Sequence, residues 1–284
     1  NVYCLAYDVD RVARELLATA ASSGARLSPA DRNALQGVLE TIAIEQANDD
    51  SFVSWIYAES LADDYYNGTF GDPDFQKAIV YYRIAANKGS RSSQYSLGYM
   101  YSSGEGVAKN AVEAIKFYEL AASNNVGSAA HNLGWIYAYS GLVPKDDVNA
   151  TRWYRRGAEL GNLDSIAILG TRIAEGTGTL ENDQEAVRWL TKGAEAGQKY
   201  AQNSLAFMYA NGEGVEQNLV AAYKWANLAG AQGVDVSNIK SWLSARMSRD
   251  EVSRAQSLSA SWKPTNLSDS VSNADASNGS AFTS

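Results

Sequence analysis

The chain has 284 residues, with 24 Lys and Arg against 32 Asp and Glu, for a net charge of −8. No Lys/Arg cluster stands out, so nucleic acid is not the expected partner, and no apolar run reaches the ~18 residues of a membrane span. Cys4 and His131 are the only cysteine and histidine. That leaves no internal disulfide and no Cys/His zinc site to assemble.

Residues 1–50 read as two helices. Val9, Val12, Leu16 and Leu17 form one apolar stripe, and Leu35, Val38, Leu39 and Ile42 form another. Ser28-Pro29 is a start signal for the second helix, with serine as N-cap and proline in the first helical position. This pair is an N-terminal cap or a degenerate repeat, and the missing repeat signature favours the cap.

From residue 51 a period takes over. Leu61, Leu97, Leu133, Leu169 and Leu205 are spaced 36 residues apart. Small residues follow at Gly98, Gly134, Gly170 and Ala206, and aromatics at Tyr65, Tyr101, Tyr137 and Tyr209, with Ile173 in the fourth copy. An alanine column (Ala78, Ala114, Ala150, Ala186, Ala222) precedes an aromatic one (Tyr81, Phe117, Trp153, Trp189, Trp225), and each unit closes at Gly89, Asn125, Gly161, Gly197 or Gly233. At about 3.6 residues per turn the first set makes one face of a first helix, and the second set an apolar stripe on a second. Gly104-Glu105-Gly106 and Gly212-Glu213-Gly214 fall between the two helices. Glycine there takes the left-handed conformation that ends a helix without steric cost, and asparagine is the usual substitute at a helix end. A fixed period of this size means stacked copies of one helical hairpin, each burying its apolar face on its neighbours.

The stretches SLGYMYSSGEGVAKNAVEAIKFYELAA and SLAFMYANGEGVEQNLVAAYKWANLAG resemble the Sel1-like repeat family, relatives of the tetratricopeptide repeats, over roughly residues 55–233. The resemblance implies an all-α, right-handed α/α solenoid of helix-turn-helix Sel1-like repeats with helical caps. The expected organisation is a cap over 1–50, five repeats over 51–235, a second cap over 236–263 and a disordered Ser/Asn-rich tail over 264–284. In the second cap Ile239, Trp242 and Leu243 share one helical stripe, and Val252, Ala255 and Leu258 suit another short helix. The loops NGTFGDPDF, YSGLVPKDD and GTGTLENDQ of repeats 1, 3 and 4 depart from the pattern.

Catalytic signatures are missing. A Ser-His-Asp triad would need His131 and finds no nucleophile elbow. The Gly-x-Gly pairs lack the third glycine of a dinucleotide site, and no phosphate-binding loop occurs. Adjacent acids such as Asp63-Asp64 and Asp146-Asp147 read as solvated surface or helix-start residues. The expectation is a non-enzyme with no cofactor and no metal.

In tetratricopeptide relatives the first helix of each unit lines a concave groove. By that resemblance the groove positions are Glu59, Asp63, Tyr66 and Asn67 in repeat 1; Tyr95, Tyr99, Ser102 and Ser103 in repeat 2; His131, Trp135, Ala138 and Tyr139 in repeat 3; Ala167, Thr171, Ala174 and Glu175 in repeat 4; and Asn203, Phe207, Ala210 and Asn211 in repeat 5. Tyr95, Tyr99, His131, Trp135, Tyr139, Asn203, Phe207 and Asn211 are the candidate partner-binding residues. The aromatics among them either anchor a ligand or pack between adjacent first helices. The implied function is a scaffold or adaptor holding a peptide or partner helix, with a polysaccharide-binding or export scaffold as the alternative. The implied setting is the bacterial periplasm or exterior, in envelope assembly or signalling, with the cytoplasm as the other compartment.

Overall fold

The computed structural model describes residues 11–13, 15, 28–47 and 54–265. The apolar stripe at Val9, Leu16 and Leu17 lies outside these residues. Past residue 28 the described residues form thirteen helices: α1 (Pro29–Ala47), α2 (Ser54–Asn67), α3 (Phe75–Asn87), α4 (Arg91–Ser103), α5 (Ala111–Ser123), α6 (Gly127–Tyr139), α7 (Asp147–Glu159), α8 (Leu163–Ala174), α9 (Asp183–Glu195), α10 (Lys199–Asn211), α11 (Leu219–Ala231), α12 (Ser237–Ser244) and α13 (Arg249–Ala260). No strand occurs among them. The chain divides into two compact units, Asn1–Ala129 and Ala130–Ser284.

Why each helix starts where it does is written in a column of short polar residues. Asp74, Asn110, Asp146, Asn182 and Asn218 are 36 residues apart. Each caps the second helix of its repeat by accepting a hydrogen bond from the backbone N–H three residues on, at Lys77, Glu113, Asn149, Glu185 or Ala221. The backbone N–H of the same residue bonds back to the carbonyl of Tyr65, Tyr101, Tyr137, Ile173 or Tyr209 at 2.9–3.2 Å. One residue therefore both starts the second helix and ties it to the first. The first helices α4, α8 and α10 are capped in the same way by Ser90, Asn162 and Gln198.

The periodic apolar columns are the core. Leu61, Leu97, Leu133, Leu169 and Leu205 are fully buried, as is the alanine column from Ala78 to Ala222. Gly98, Gly134 and Gly170 are small because of what faces them. A Cβ at these positions would lie 2.6–2.8 Å from Tyr118, Tyr154 or Leu190. Each of those partners stands 20 residues further on, and in repeat 5, where the column holds Ala206, the corresponding residue is Ala226. The tyrosine column stacks on the second-helix aromatic of its own repeat. Tyr65 on Tyr81 and Tyr101 on Phe117 are parallel within 8° at centroid separations of 5.7 and 5.9 Å. Buried Gln94 and Gln202 each donate to the carbonyl eight residues earlier, Ala86 or Ala194, and accept from Asn124 or Gln232. These bonds join successive helices without leaving buried amide groups unpaired.

The loop glycines do two jobs. Gly104 and Gly212 close α4 and α10 at φ 81° and 78°. The second glycine of each loop lies against the preceding repeat. A Cβ on Gly106, Gly178 or Gly214 would fall 2.0–2.3 Å from Phe75, Asp147 or Asp183, the residues that open second helices 31 positions earlier. Asn125, at φ 64°, is the only non-glycine residue with positive φ among the described residues.

In unit 1, α1 packs on α2 and α3. Ser28 accepts from the Asp31 N–H at its start, and Leu39, Ile42 and Ala43 are buried while Val38 is exposed. In unit 2, α12 and α13 pack on α11. Ile239, Leu243 and Ala255 are buried there, but Trp242 and Leu258 face solvent, contrary to the stripes read from the sequence. No further repeat follows these helices among the described residues, and both pack mainly on α11, so only the residues directly over α11 are covered. Arg246 lies over the exposed Trp242 ring at 4.1 Å. The expected tail also starts too early. Trp262 packs edge-on against Trp225, and Thr265 donates its N–H and hydroxyl to the carbonyl of Glu195 at 2.8 and 3.2 Å. Residues 264 and 265 are therefore tied to α9, and the rest of the expected tail, 266–284, lies outside the described residues.

Candidate functional site

The eight residues read as groove positions divide into three groups. Tyr99, Trp135, Tyr139 and Phe207 are 44%, 47%, 63% and 44% exposed, although they sit on helices whose other apolar residues are mostly buried. Asn211 is exposed and donates to Glu213 at 2.9 Å. Tyr95, His131 and Asn203 are half-buried. Tyr95 lies against Tyr118 at 5.7 Å, and the side-chain oxygen of Asn203 is buried with no hydrogen-bond partner. The split follows the side of the leucine column: the aromatics two or six residues after the leucine reach solvent, while the residues two before it are half-buried.

In unit 2, His131 and Tyr139 line a cavity of about 650 Å3 together with Lys145, Asp147, Asp164, Ala167, Ile168, Thr171, Arg172, Glu175, Thr177, Gln198 and Tyr200. It sits on the first-helix side of repeats 3 to 5. Only His131, Tyr139, Ala167, Thr171 and Glu175 of this set were groove positions by sequence. The centre of the arrangement, Arg172, was not among them.

Arg172 takes the position that Met100, Ile136 and Met208 hold in the neighbouring repeats, and it is 4% exposed. Its Nε donates to Thr151 Oγ1 at 2.7 Å, and one terminal nitrogen donates to the Asp147 carboxylate at 2.8 Å and to its carbonyl at 3.1 Å. Thr151 in turn donates to the carbonyl of Thr177 at 2.8 Å. The guanidinium lies near the Tyr154 ring, 5.8 Å from its centroid. Lys145 reaches the other Asp147 oxygen at 2.9 Å. The guanidinium, followed by the ammonium of Lys145, holds the Asp147 carboxyl below the usual carboxylate range. This network fixes the loop after α8 onto the start of α7. The signal for it was an arginine in a column that is apolar in repeats 2, 3 and 5 and holds Asp64 in repeat 1.

The opposite wall is less charged. His131 shares a hydrogen bond between Nδ1 and Ser165 Oγ at 3.1 Å and meets Tyr154 edge-on at 5.5 Å. Burial pulls its pKa below the usual imidazole value, with the Asp164 carboxylate opposing the shift. Asp164 accepts from Gln198 at 3.1 Å. The Tyr154 hydroxyl is buried without a hydrogen-bond partner, and burial pushes its pKa up. Asp147 is thus held as a carboxylate by two cations, while burial disfavours the charged imidazolium of His131. Among the described residues no three His, Cys, Asp or Glu side chains gather as a metal site. The cavity presents two tyrosines, an isoleucine and several fixed polar groups, which suits it to receive part of a ligand.

In unit 1, Tyr95 and Tyr99 line a smaller pocket of about 280 Å3 with Tyr66, Tyr82 and Ser96. Trp135, Asn203, Phe207 and Asn211 line neither hollow.

Comparison with known proteins places these features in a family. A model of the Sel1 repeat matches residues 59–90, 91–126, 127–162, 164–198 and 199–234. The crystal structure of a protective antigen of uropathogenic Escherichia coli with an SLR fold is 26% identical, with a TM-score of 0.65 over 91% of this chain and 60% of that one. The chain therefore spans about 60% of that antigen's length. A Sel1 repeat protein from Oxalobacter formigenes is 27% identical, with a TM-score of 0.63 over 74% of this chain and 88% of that one. No curated protein sequence matches the chain. No helix among the described residues is long and apolar enough to cross a membrane.

Proposed function

The chain belongs to the Sel1 repeat family, whose fold is typically a non-catalytic, protein-binding scaffold, and from that premise we propose that it holds an extended peptide or a partner helix against the first helices of its repeats. The observation that carries this reading is the exposure of Tyr99, Trp135, Tyr139 and Phe207 on those helices. The second-helix aromatics Tyr81, Phe117 and Trp225 are buried. Large, rigid, amphipathic rings left in water are the residue type that dominates binding energy at protein interfaces. The cavity beside Tyr139 gives one partner side chain a place to be enclosed. The likeness to a protective antigen of a uropathogen supports an exported, envelope-associated setting. Fractionation of the producing cell tests that setting, and recovery in the cytoplasm alone removes it.

The binding face is tested by affinity capture from the native extract with wild type and a Trp135→Ala, Tyr139→Ala, Phe207→Ala variant, each confirmed folded by circular dichroism. A protein held by wild type and released by the variant supports the scaffold reading. Equal capture by both moves the site off the first-helix face of unit 2. Tryptophan quenching by a purified polysaccharide, with no protein captured, replaces the peptide by a sugar polymer, since the same rings stack on sugars.

A further inference from the structure

The pocket of unit 1 differs in kind from the cavity of unit 2. Four of its five lining residues are tyrosines, Tyr66, Tyr82, Tyr95 and Tyr99, with Ser96 as the fifth. The Tyr66 and Tyr82 rings stand 6.4 Å apart at 61°, forming two walls at an angle. Their hydroxyls are turned onto carboxylates: Tyr82 donates to Asp63 at 2.6 Å, and Tyr66 donates to Glu105 at 2.9 Å. Burial, then the bond to Glu105, pushes the Tyr66 phenol up to about 12, so it stays a neutral donor. No Lys or Arg lines the pocket. The helices that line it carry Glu59, Asp63 and Asp64 on α2, Arg91 on α4, and Lys77 and Arg83 on α3, so the negative field at the pocket comes from the two carboxylates bonded to its tyrosines.

These features select for positive charge. An aromatic face is the negative part of the ring quadrupole, and several rings around one hollow attract a cation in its centre. The carboxylates that accept from these hydroxyls add to that field, Glu105 from a half-buried position and Asp63 from an exposed one that solvent screens more strongly. At about 280 Å3 the hollow lies just below the ~300–1,000 Å3 of a drug-sized site and suits a single side-chain head. Guanidinium is the better fit of the two side-chain cations, because it is planar, weakly hydrated and stacks on aromatic faces.

We propose that the tyrosine pocket formed by Tyr66, Tyr82, Tyr95 and Tyr99 is a cation subsite that takes an arginine side chain of the partner. The proposal rests on the first-helix face being the partner surface, and adds the chemistry by which that partner is recognised.

The test uses the full chain and two peptides, Gly-Gly-Arg-Gly-Gly and the same peptide with citrulline, which keeps the shape of arginine and removes its charge. Binding is followed by backbone amide shifts in α2 and α4. Arginine should bind about tenfold more tightly than citrulline, the preference expected of a cation among several rings. Tyr99→Ala should abolish that preference and Tyr99→Phe should keep it, while Glu105→Gln should reduce it severalfold with the helices intact by circular dichroism. Equal binding of both peptides overturns the proposal in favour of an apolar pocket, and no shifts with either overturns it outright. Choline binding as tightly as the arginine peptide also overturns it, making the ligand a free onium ion. The variant used for capture lies wholly in unit 2, so loss of the partner there and loss of arginine selectivity here are separate results.

Discussion

Arg172 shows how one residue can depart from its column and define a site. At this depth a charge is tolerable only when paired and fully hydrogen-bonded, and Thr151, Asp147 and the Tyr154 ring supply that environment. Arg172→Ala should cost about 2–3 kcal/mol, below the usual range for breaking a buried pair because Asp147 keeps some access to water. Arg172→Met, the residue at the same position in repeats 2 and 5, should cost less, because it fills the space that alanine leaves empty while losing the same bonds to Asp147 and Thr151. Urea unfolding of the two variants separates the contributions: the loss shared by both reports the pairing, the extra loss of alanine reports the cavity, and a methionine variant as stable as wild type would count against the pairing account. His131 makes a second residue-scale prediction. Its pKa is pulled below the ordinary 6.5 by burial, so the unfolded chain takes up a proton at a higher pH than the folded one. Stability from this group is then complete above about pH 6.5 and declines as the pH falls below it. Wild type should lose more stability than His131→Gln between pH 7.5 and 5.5, measured by urea midpoints.

At the scale of the element, helix starts and loop contacts decide the register of each hairpin. Asn182→Ala removes the acceptor for the Glu185 N–H and should cost about 1 kcal/mol, whereas Asn182→Asp should be close to neutral. Gly212 and Gly214 are both in the left-handed region, and alanine at either costs about 1–2 kcal/mol for the backbone alone. The two positions should nonetheless differ. A Cβ on Gly212 comes no nearer than 3.3 Å to any atom, the Cβ of Gln217, while one on Gly214 falls 2.3 Å from the Asp183 carbonyl oxygen. Gly214→Ala should lower the thermal midpoint clearly more than Gly212→Ala. The loop sequence announces the left-handed turns, because glycine in a repeated Gly-x-Gly has a local cause. It does not announce which glycine touches the preceding repeat, because that contact spans 31 residues and exists only once the hairpins stack. The Asp/Asn cap column was readable in principle, being strictly periodic and of the right residue types, but short polar residues in loops carry many meanings until their hydrogen bonds are seen.

For the whole molecule, nearest-neighbour stacking makes stability a sum over repeats and their interfaces, so a partner surface is recognised by residues whose removal costs little. Trp135, Tyr139 and Phe207 are exposed, and their replacement by alanine should change stability by less than about 0.5 kcal/mol each while weakening capture. With a net charge of −8, binding of a basic partner should weaken as salt is raised from 50 to 500 mM, because ionic screening shortens the range of attraction from exposed acids. A partner held equally well at both salt concentrations would be recognised by its apolar surface. The sequence by itself determined the helical hairpins, their five-fold repetition and the family, because core columns recur at every 36 residues and each has a local reason to be apolar, small or aromatic. Only the tertiary structure decided which first-helix aromatics reach solvent and which are covered. It alone placed Arg172 at the centre of a network, and it alone gathered Tyr66, Tyr82, Tyr95 and Tyr99 into one pocket. Those outcomes depend on residues of neighbouring repeats meeting across the stack, and the columns that encode the fold are silent about the variable positions between them.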